Sequence, residues 1–206
     1  MPTDIPLRCA CGKLRGAALG VSPGAGCRVV CYCDDCQAFA RFLGRPDITD
    51  EWGGTDIFQM APSKVRIISG ADALRCMRLS HKGMHRWYCG ECMTPVGNTP
   101  SLRVPFVGLI HTFMDHGSDG PAHDDVLGKP LGYVQTKFAV GIMPPSPRGS
   151  SLLRVIGRSV RLLGKWWFTG AGSPSPFFDD QTRAPRSEPR ILGPEERRAL
   201  SSGRAR

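Results

Sequence analysis

No stretch of this chain restricts its fold more than Cys31-Tyr32-Cys33-Asp34-Asp35-Cys36-Gln37. Thiols this close in sequence converge on one point only if something binds them there, because a Cys31–Cys33 disulfide would close too small a ring to be relaxed. A soft divalent metal is the natural binder, and zinc prefers four ligands in a tetrahedron. This stretch supplies three. Either another protein ligand closes the site and makes it structural, or the fourth place stays open to water or substrate and makes it a catalytic centre.

The remaining thiols narrow the choice. Cys9 and Cys11 stand one residue apart before Gly12, which can take the positive φ that a tight metal-binding turn requires. Arg86-Trp87-Tyr88 reads as a strand running into Cys89-Gly90-Glu91-Cys92-Met93-Thr94-Pro95, a knuckle with the two-residue spacing of zinc ribbons. Seven such thiols do not fill two closed tetrahedra. The economical division pairs Cys9/Cys11 with Cys89/Cys92 in a closed four-thiolate site and leaves Cys31, Cys33 and Cys36 as a three-thiolate site with an open position. In the alternative both sites are structural, with Cys27, His81, His85, His111, His116 or His123 completing the second. Cys76, on an alternating strand, reads as a small buried hydrophobe; Cys27 has no evident place.

An odd total of nine cysteines argues against a complete disulfide framework, and Met1-Pro2-Thr3-Asp4 lacks the basic and apolar regions of a signal peptide. Metal-bound thiolates in a reducing cytoplasm are the expectation. No run of eighteen apolar residues is present, so no membrane-spanning segment is expected. The net charge of +9 is uneven. Residues 1–145 carry 15 Lys/Arg against 13 Asp/Glu, a net +2, whereas residues 146–206 carry 12 against 5, a net +7. The cysteine-rich part has no concentrated positive stripe, which disfavours nucleic acid as a partner.

Apolar and β-branched runs predict strands at 14–21, 28–30, 57–60, 65–68, 73–79, 86–88, 104–113 and 134–142. Ser69-Gly70-Ala71-Asp72 reads as the turn of a hairpin between two of them, and antiparallel sheet is the implied architecture. Residues 37–44 read as a short helix stopped by Gly44 and Pro46. Gly53-Gly54 reads as a turn that also admits close approach of a ligand. Pro144-Pro145 closes a first domain, residues 1–145, and a basic extension of residues 146–206 follows. Within it, residues 152–168 are helical by period: Arg154, Arg158, Arg161 and Lys165 share an arc of about 60°, with Val155, Ile156, Val160, Leu162, Leu163, Trp166 and Trp167 opposite. That apolar face is expected to dock on the sheet; homo-oligomerisation and peripheral membrane contact are the other destinations. Residues 173–180 form an extended aromatic segment able to pack back on the core. From Arg183 onward the chain is proline- and charge-rich, and its last residues read as mobile apart from a short helix over 195–200.

Cys-x-Cys-Gly, then Cys-x-Cys-x-x-Cys-Gln, then Arg-x-aromatic-Cys-x-x-Cys-x-Thr-Pro, in that order over residues 7 to 140, resembles the glutathione-dependent formaldehyde-activating enzyme family, which includes centromere protein V. The resemblance implies a mainly β fold, a zinc-binding β-tent of antiparallel sheets. It also implies a structural zinc on Cys9, Cys11, Cys89 and Cys92, a second zinc on Cys31, Cys33 and Cys36, and carbon-sulfur lyase activity on a glutathione adduct or other small thiol substrate. The chain departs from the family where Tyr32 replaces a histidine and Met93 a glycine. Tyr32 can still donate a hydrogen bond at the site rim, and Arg86 can meet a glutathione carboxylate; with Gly54 these are the candidate substrate contacts. The rival reading is a non-catalytic, zinc-stabilised interaction module that uses helix 152–168.

Overall fold

The computed structural model describes residues 1–115, 123–143 and 152–201. Its strands are β1 (Thr3–Arg8), β2 (Arg15–Val21), β3 (Cys27–Cys31), β4 (Thr55–Met60), β5 (Val65–Ser69), β6 (Leu74–Arg78), β7 (His85–Cys89), β8 (Pro95–Thr99), β9 (Val107–Ile110), β10 (Gly132–Val134) and β11 (Pro189–Ile191). The α-helices are α1 (Asp34–Leu43), α2 (His123–Leu127), α3 (Leu152–Phe168) and α4 (Pro194–Ser201). Among the described residues the strands form a small sheet ordered β1-β2-β5 and a large one ordered β10-β3-β4-β9-β8-β7-β6-β11. The fold is mostly β, with few helices.

Pairing is antiparallel throughout the interior of the large sheet, but its edge strands β10 and β11 join parallel, to β3 and β6. The expectation of purely antiparallel sheets is corrected there, because both edges are short segments arriving after long connections rather than through hairpins. The hairpin expected around Gly70 is also corrected. β5 pairs with β2 in the small sheet and β6 with β7 in the large one. Gly70, at φ 71°, carries the chain from one sheet to the other: a Cβ there would lie 2.2 Å from the Lys13 carbonyl oxygen. Of residues 104–113 only Val107–Ile110 are strand, and residues 134–142 pass into a 3₁₀ turn at Thr136–Phe138. The Pro144-Pro145 boundary lies outside the described residues.

Trp87, fully buried, centres the main core, with Leu7, Val96, Leu109 and Phe113 around it and its indole N–H donating to Thr99 Oγ1 at 2.9 Å. Phe177 and Phe178 complete this core; their rings lie 5.2 and 5.7 Å from that of Trp87. The basic C-terminal part is thus structural rather than peripheral. Pro189–Ile191 hydrogen-bond to β6, and the short helix expected over 195–200 is α4, which packs on α1 with Arg41 Nη1 donating to the Leu200 carbonyl at 2.6 Å; the last residues, expected to be mobile, lie outside the described residues from 202 on.

Helix α3 lies on the large sheet as expected. Val155, Leu162 and Trp166 are buried with Cys27, Val29 and Ile57. Arg158 Nη2 donates to the carbonyls of Pro23 and Gly24 at 3.0 and 2.6 Å, and Ser159 Oγ donates to Gln59 Oε1 at 3.1 Å. Its apolar arc divides: Ile156, Val160 and Trp167 are exposed, and so is Leu153 a turn earlier. No helix among the described residues is long and apolar enough to cross a membrane.

Candidate metal centres

Cys9 and Cys11 sit in the turn from β1 to β2, and Cys89 and Cys92 in the turn from β7 to β8. Each turn is closed by its own backbone: Cys9 N–H donates to the Leu14 carbonyl at 3.0 Å, and Cys89 N–H to the Thr94 carbonyl at 2.8 Å. Gly12 and Met93 hold left-handed φ values of 72° and 56°. The conformation is free for glycine and costs a side-chain-bearing residue about 1–2 kcal/mol, so Met93 occupies a position that favours glycine. Across the turns the four sulfurs lie within 4.8 Å of one another, with Cys9–Cys11 at 3.4 Å and Cys11–Cys89 at 4.0 Å.

Thr94 ties the two knuckles. Its Oγ1 lies 3.2 Å from Cys92 Sγ and accepts from the Ala10 N–H at 3.0 Å and from Arg45 Nη1 at 3.1 Å. Burial pushes the Cys89 thiol up to about 12. Burial also acts upward on Cys92, but hydrogen bonds from the Thr94 hydroxyl and from the Cys11 and Thr94 backbones outweigh it and bring that thiol down to about 6. The lowering favours the thiolate, the form that binds metal.

The second cluster is built at the junction of β3 and α1. Cys31 ends the strand, Cys33 is the N-cap of the helix, and Cys36 lies in its first turn, its N–H donating to the Cys33 carbonyl at 3.0 Å. The three sulfurs lie within 4.8 Å of one another. Hydrogen bonds from the Cys31 and Cys33 thiols, reinforced by the Arg86 guanidinium, hold the buried Cys36 thiol well below its usual value. Hydrogen bonds to Cys33 and Cys36 push Cys31 upward in turn. A helix N-terminus favours the same thiolates.

Both donor sets are all sulfur, which suits zinc and other thiophilic metals and not calcium or magnesium. They divide four and three, as the spacing suggests. Among the described residues no fourth His, Cys, Asp or Glu donor joins the triad. Cys27 is buried under α3, its Sγ 4.0 Å from Ser159 Oγ, and Cys76 is buried on β6. His85 stacks on Trp87, and His111 Nδ1 is 3.4 Å from the Asp56 carbonyl oxygen. His116 and the His123 side chain lie outside the described residues.

The three candidate substrate contacts have different surroundings. Arg86 is 2% exposed. Its Nη1 donates to Cys36 Sγ at 3.9 Å and to Asn98 Oδ1 at 3.3 Å, and its Nη2 lies 3.8 Å from Asp35. The guanidinium thus faces the triad itself. Tyr32 follows the strand's alternation to the opposite face of the sheet, where with Arg28, Asp56, His111 and Asp124 it bounds a crevice of 560 Å³. Its hydroxyl donates to Asp50 Oδ2 at 2.8 Å. Gly54 lies beneath that ring: a Cβ there would be 2.6 Å from the ring and 2.7 Å from Asp50 Oδ2. Gly54→Ala is therefore expected to break the Tyr32–Asp50 clamp and destabilise the fold by about 1–3 kcal/mol. Urea denaturation reads this directly, and wild-type stability would show that the ring yields without cost.

Sequence reasoning missed two residues that organise the triad helix and the knuckles. Gln37 donates through Nε2 to the Tyr32 and Phe138 carbonyls at 2.9 and 2.8 Å, and Arg45 reaches Thr94 from the loop after α1. Gln37 directly follows the last triad cysteine, so adjacency to the motif was its signal, whereas Arg45, nine residues past Cys36, carried none.

A family model described as "Family of unknown function (DUF6151)" matches residues 1–187. A UPF0276 protein of Shewanella loihica (strain ATCC BAA-1088 / PV-4) is 25% identical over 122 residues, which take in 56% of this chain and 41% of that protein. The chain thus spans about two fifths of that relative's length. A crystal structure of a Rhodobacter sphaeroides protein, a Northeast Structural Genomics target, shares 16% identity and a TM-score of 0.38, covering 56% of this chain and 92% of its own.

Proposed function

The chain belongs to the DUF6151 family, whose description assigns no activity, and we propose from its own residues that it is a two-zinc protein of a reducing cytoplasm whose second metal site takes up a small thiol. In this reading Cys9, Cys11, Cys89 and Cys92 hold a structural zinc, and Cys31, Cys33 and Cys36 hold a zinc whose fourth place receives a glutathione-linked or other small thiol adduct for carbon-sulfur lyase chemistry. One observation carries it: three converging thiols with no fourth donor among the described residues. The cysteine order, which resembles the formaldehyde-activating family with its β-tent fold, supports the same assignment.

A zinc in this site would supply a fixed point of attachment for the incoming sulfur and polarisation of the atom it holds. Three thiolates leave the centre with one net negative charge, which weakens polarisation. Arg86 opposes this: its guanidinium, buried beside Cys36, offsets the excess charge where little solvent screens it. Asn98 and Asp35 hold the guanidinium in place. The protein's part is therefore to position the reacting sulfur and to balance its charge, and positioning alone can supply a large share of a rate enhancement.

A second reading rests on the exposed apolar side of α3, Leu153, Ile156, Val160 and Trp167, which suits a non-catalytic module that meets a partner protein or membrane. Cys36→Ala separates the two. The catalytic reading predicts that zinc falls from two atoms per chain to one, that the circular dichroism is kept, and that turnover of glutathione with formaldehyde is abolished. Two zinc atoms in the variant, or an unchanged rate, would remove the triad from the chemistry; a wild-type protein with both zincs and no turnover of small thiol adducts would favour the module.

A further inference from the structure

β3 and β4 pair antiparallel with Cys31 directly opposite Thr55. Side chains so paired rise from the same face of the sheet, with Cβ atoms about 4.5–5.5 Å apart. Thr55 is 2% exposed, and its hydroxyl has no hydrogen-bond partner among the described residues. Buried hydroxyls are nearly always satisfied, and one left alone is a standing cost that valine, of nearly the same shape, would avoid. The pair Ile57 and Ile110 on β4 and β9 continues this face, and two residues beyond Ile110 the Thr112 hydroxyl is likewise buried and without a partner among the described residues. No triad sulfur accepts from Thr55, so the hydroxyl is available to something that arrives at Cys31's side of the sheet.

We propose that Thr55 is a positioning residue, whose hydroxyl hydrogen-bonds the small thiol taken up at the Cys31/Cys33/Cys36 site. This rests on the open-site reading above. The hydroxyl fixes the orientation of the incoming sulfur or of the oxygen beside it, and the bound thiol satisfies the group that is orphaned without it. Arg86 and Thr55 then act from separate strands, one on charge and the other on direction.

The test uses the full chain loaded with cobalt(II), whose ligand-field and sulfur charge-transfer bands report on the fourth ligand, titrated with glutathione. Wild type is expected to show a saturable spectral change. Thr55→Val is expected to keep the thiol-free cobalt spectrum, to melt at or above the wild-type temperature without thiol, and to bind glutathione about tenfold more weakly; Thr55→Ser is expected to bind within about twofold of wild type. Equal glutathione affinity in wild type and Thr55→Val would overturn the role of Thr55 and leave the open site standing. An affinity lost equally in Thr55→Ser and Thr55→Val would overturn it too, because shape and not the hydroxyl would then matter. A wild-type spectrum that glutathione does not alter would overturn the open site itself.

Discussion

Cys89→Ser is expected to yield a chain without a cooperative unfolding transition. Cys89 is fully buried at the end of β7, and its sulfur is one of four that join the β1–β2 turn to the β7–β8 turn, so the cluster ties the small sheet to the large one. If this cluster holds the proposed structural zinc, the comparison is between about 10–16 kcal/mol of apparent binding free energy for such sites and a domain's net stability of only about 5–15 kcal/mol. A site that no longer holds its metal after losing one thiolate forfeits an amount comparable to the whole net stability of the fold. The substitution also leaves a hydroxyl in a place shaped for sulfur. Urea titration followed by near-ultraviolet circular dichroism makes the comparison, with Cys76→Ala, a buried cysteine outside both clusters, as the control. A Cys89→Ser protein that melts like wild type would mean that the cluster holds no structural metal.

Deleting residues 152–206 is expected to leave a chain that aggregates or binds hydrophobic dyes. The deletion strips Phe177 and Phe178 from Trp87, Val155, Leu162 and Trp166 from the sheet face around Val29 and Ile57, and the edge strand β11 from β6. An uncovered apolar face and an unpaired edge are both routes to association. Phe177→Ala isolates the largest single part of the loss. The ring is fully buried against Trp87, and truncating a buried phenylalanine costs about 3–5 kcal/mol. A truncated chain that stays monomeric and keeps its metal and its near-ultraviolet signal would show the C-terminal part to be a separable module, as its composition suggests.

The metal clusters were legible because coordination is a local constraint: a sulfur inventory grouped by spacing leaves few ways to share ligands, and Cys9/Cys11 with Cys89/Cys92 is the pairing the fold makes. The strands delivering Cys31 and Cys89 were legible for a similar reason, since apolar runs lead directly into the motifs. Sheet assignment was not. Val65–Ser69 and Leu74–Arg78 flank a glycine that reads as a hairpin turn, and nothing in their alternation says that their partners are β2 and β7. β1 carries Pro6 and β11 begins at Pro189, residues that weaken a strand signal; both strands lie at sheet edges, where proline is tolerated. In the C-terminal part the docking of helix 152–168 and the return of the aromatic segment 173–180 were legible from periodicity and from two adjacent phenylalanines, whereas the pairing of Pro189–Ile191 with β6 was not, because proline and charge mask a three-residue strand. The destinations of Tyr32 and Arg86 depend on which face of β3 and β7 meets α1, and the cysteine motifs do not encode that.

Zinc K-edge X-ray absorption on protein purified under reducing, zinc-replete conditions tests the four-and-three division most directly. The account predicts two zinc atoms per chain sharing seven sulfurs at about 2.3 Å, with the one remaining position held by a lighter atom that added glutathione replaces with sulfur. A single zinc, or two zincs whose mixed shell does not change when glutathione is added, would contradict it.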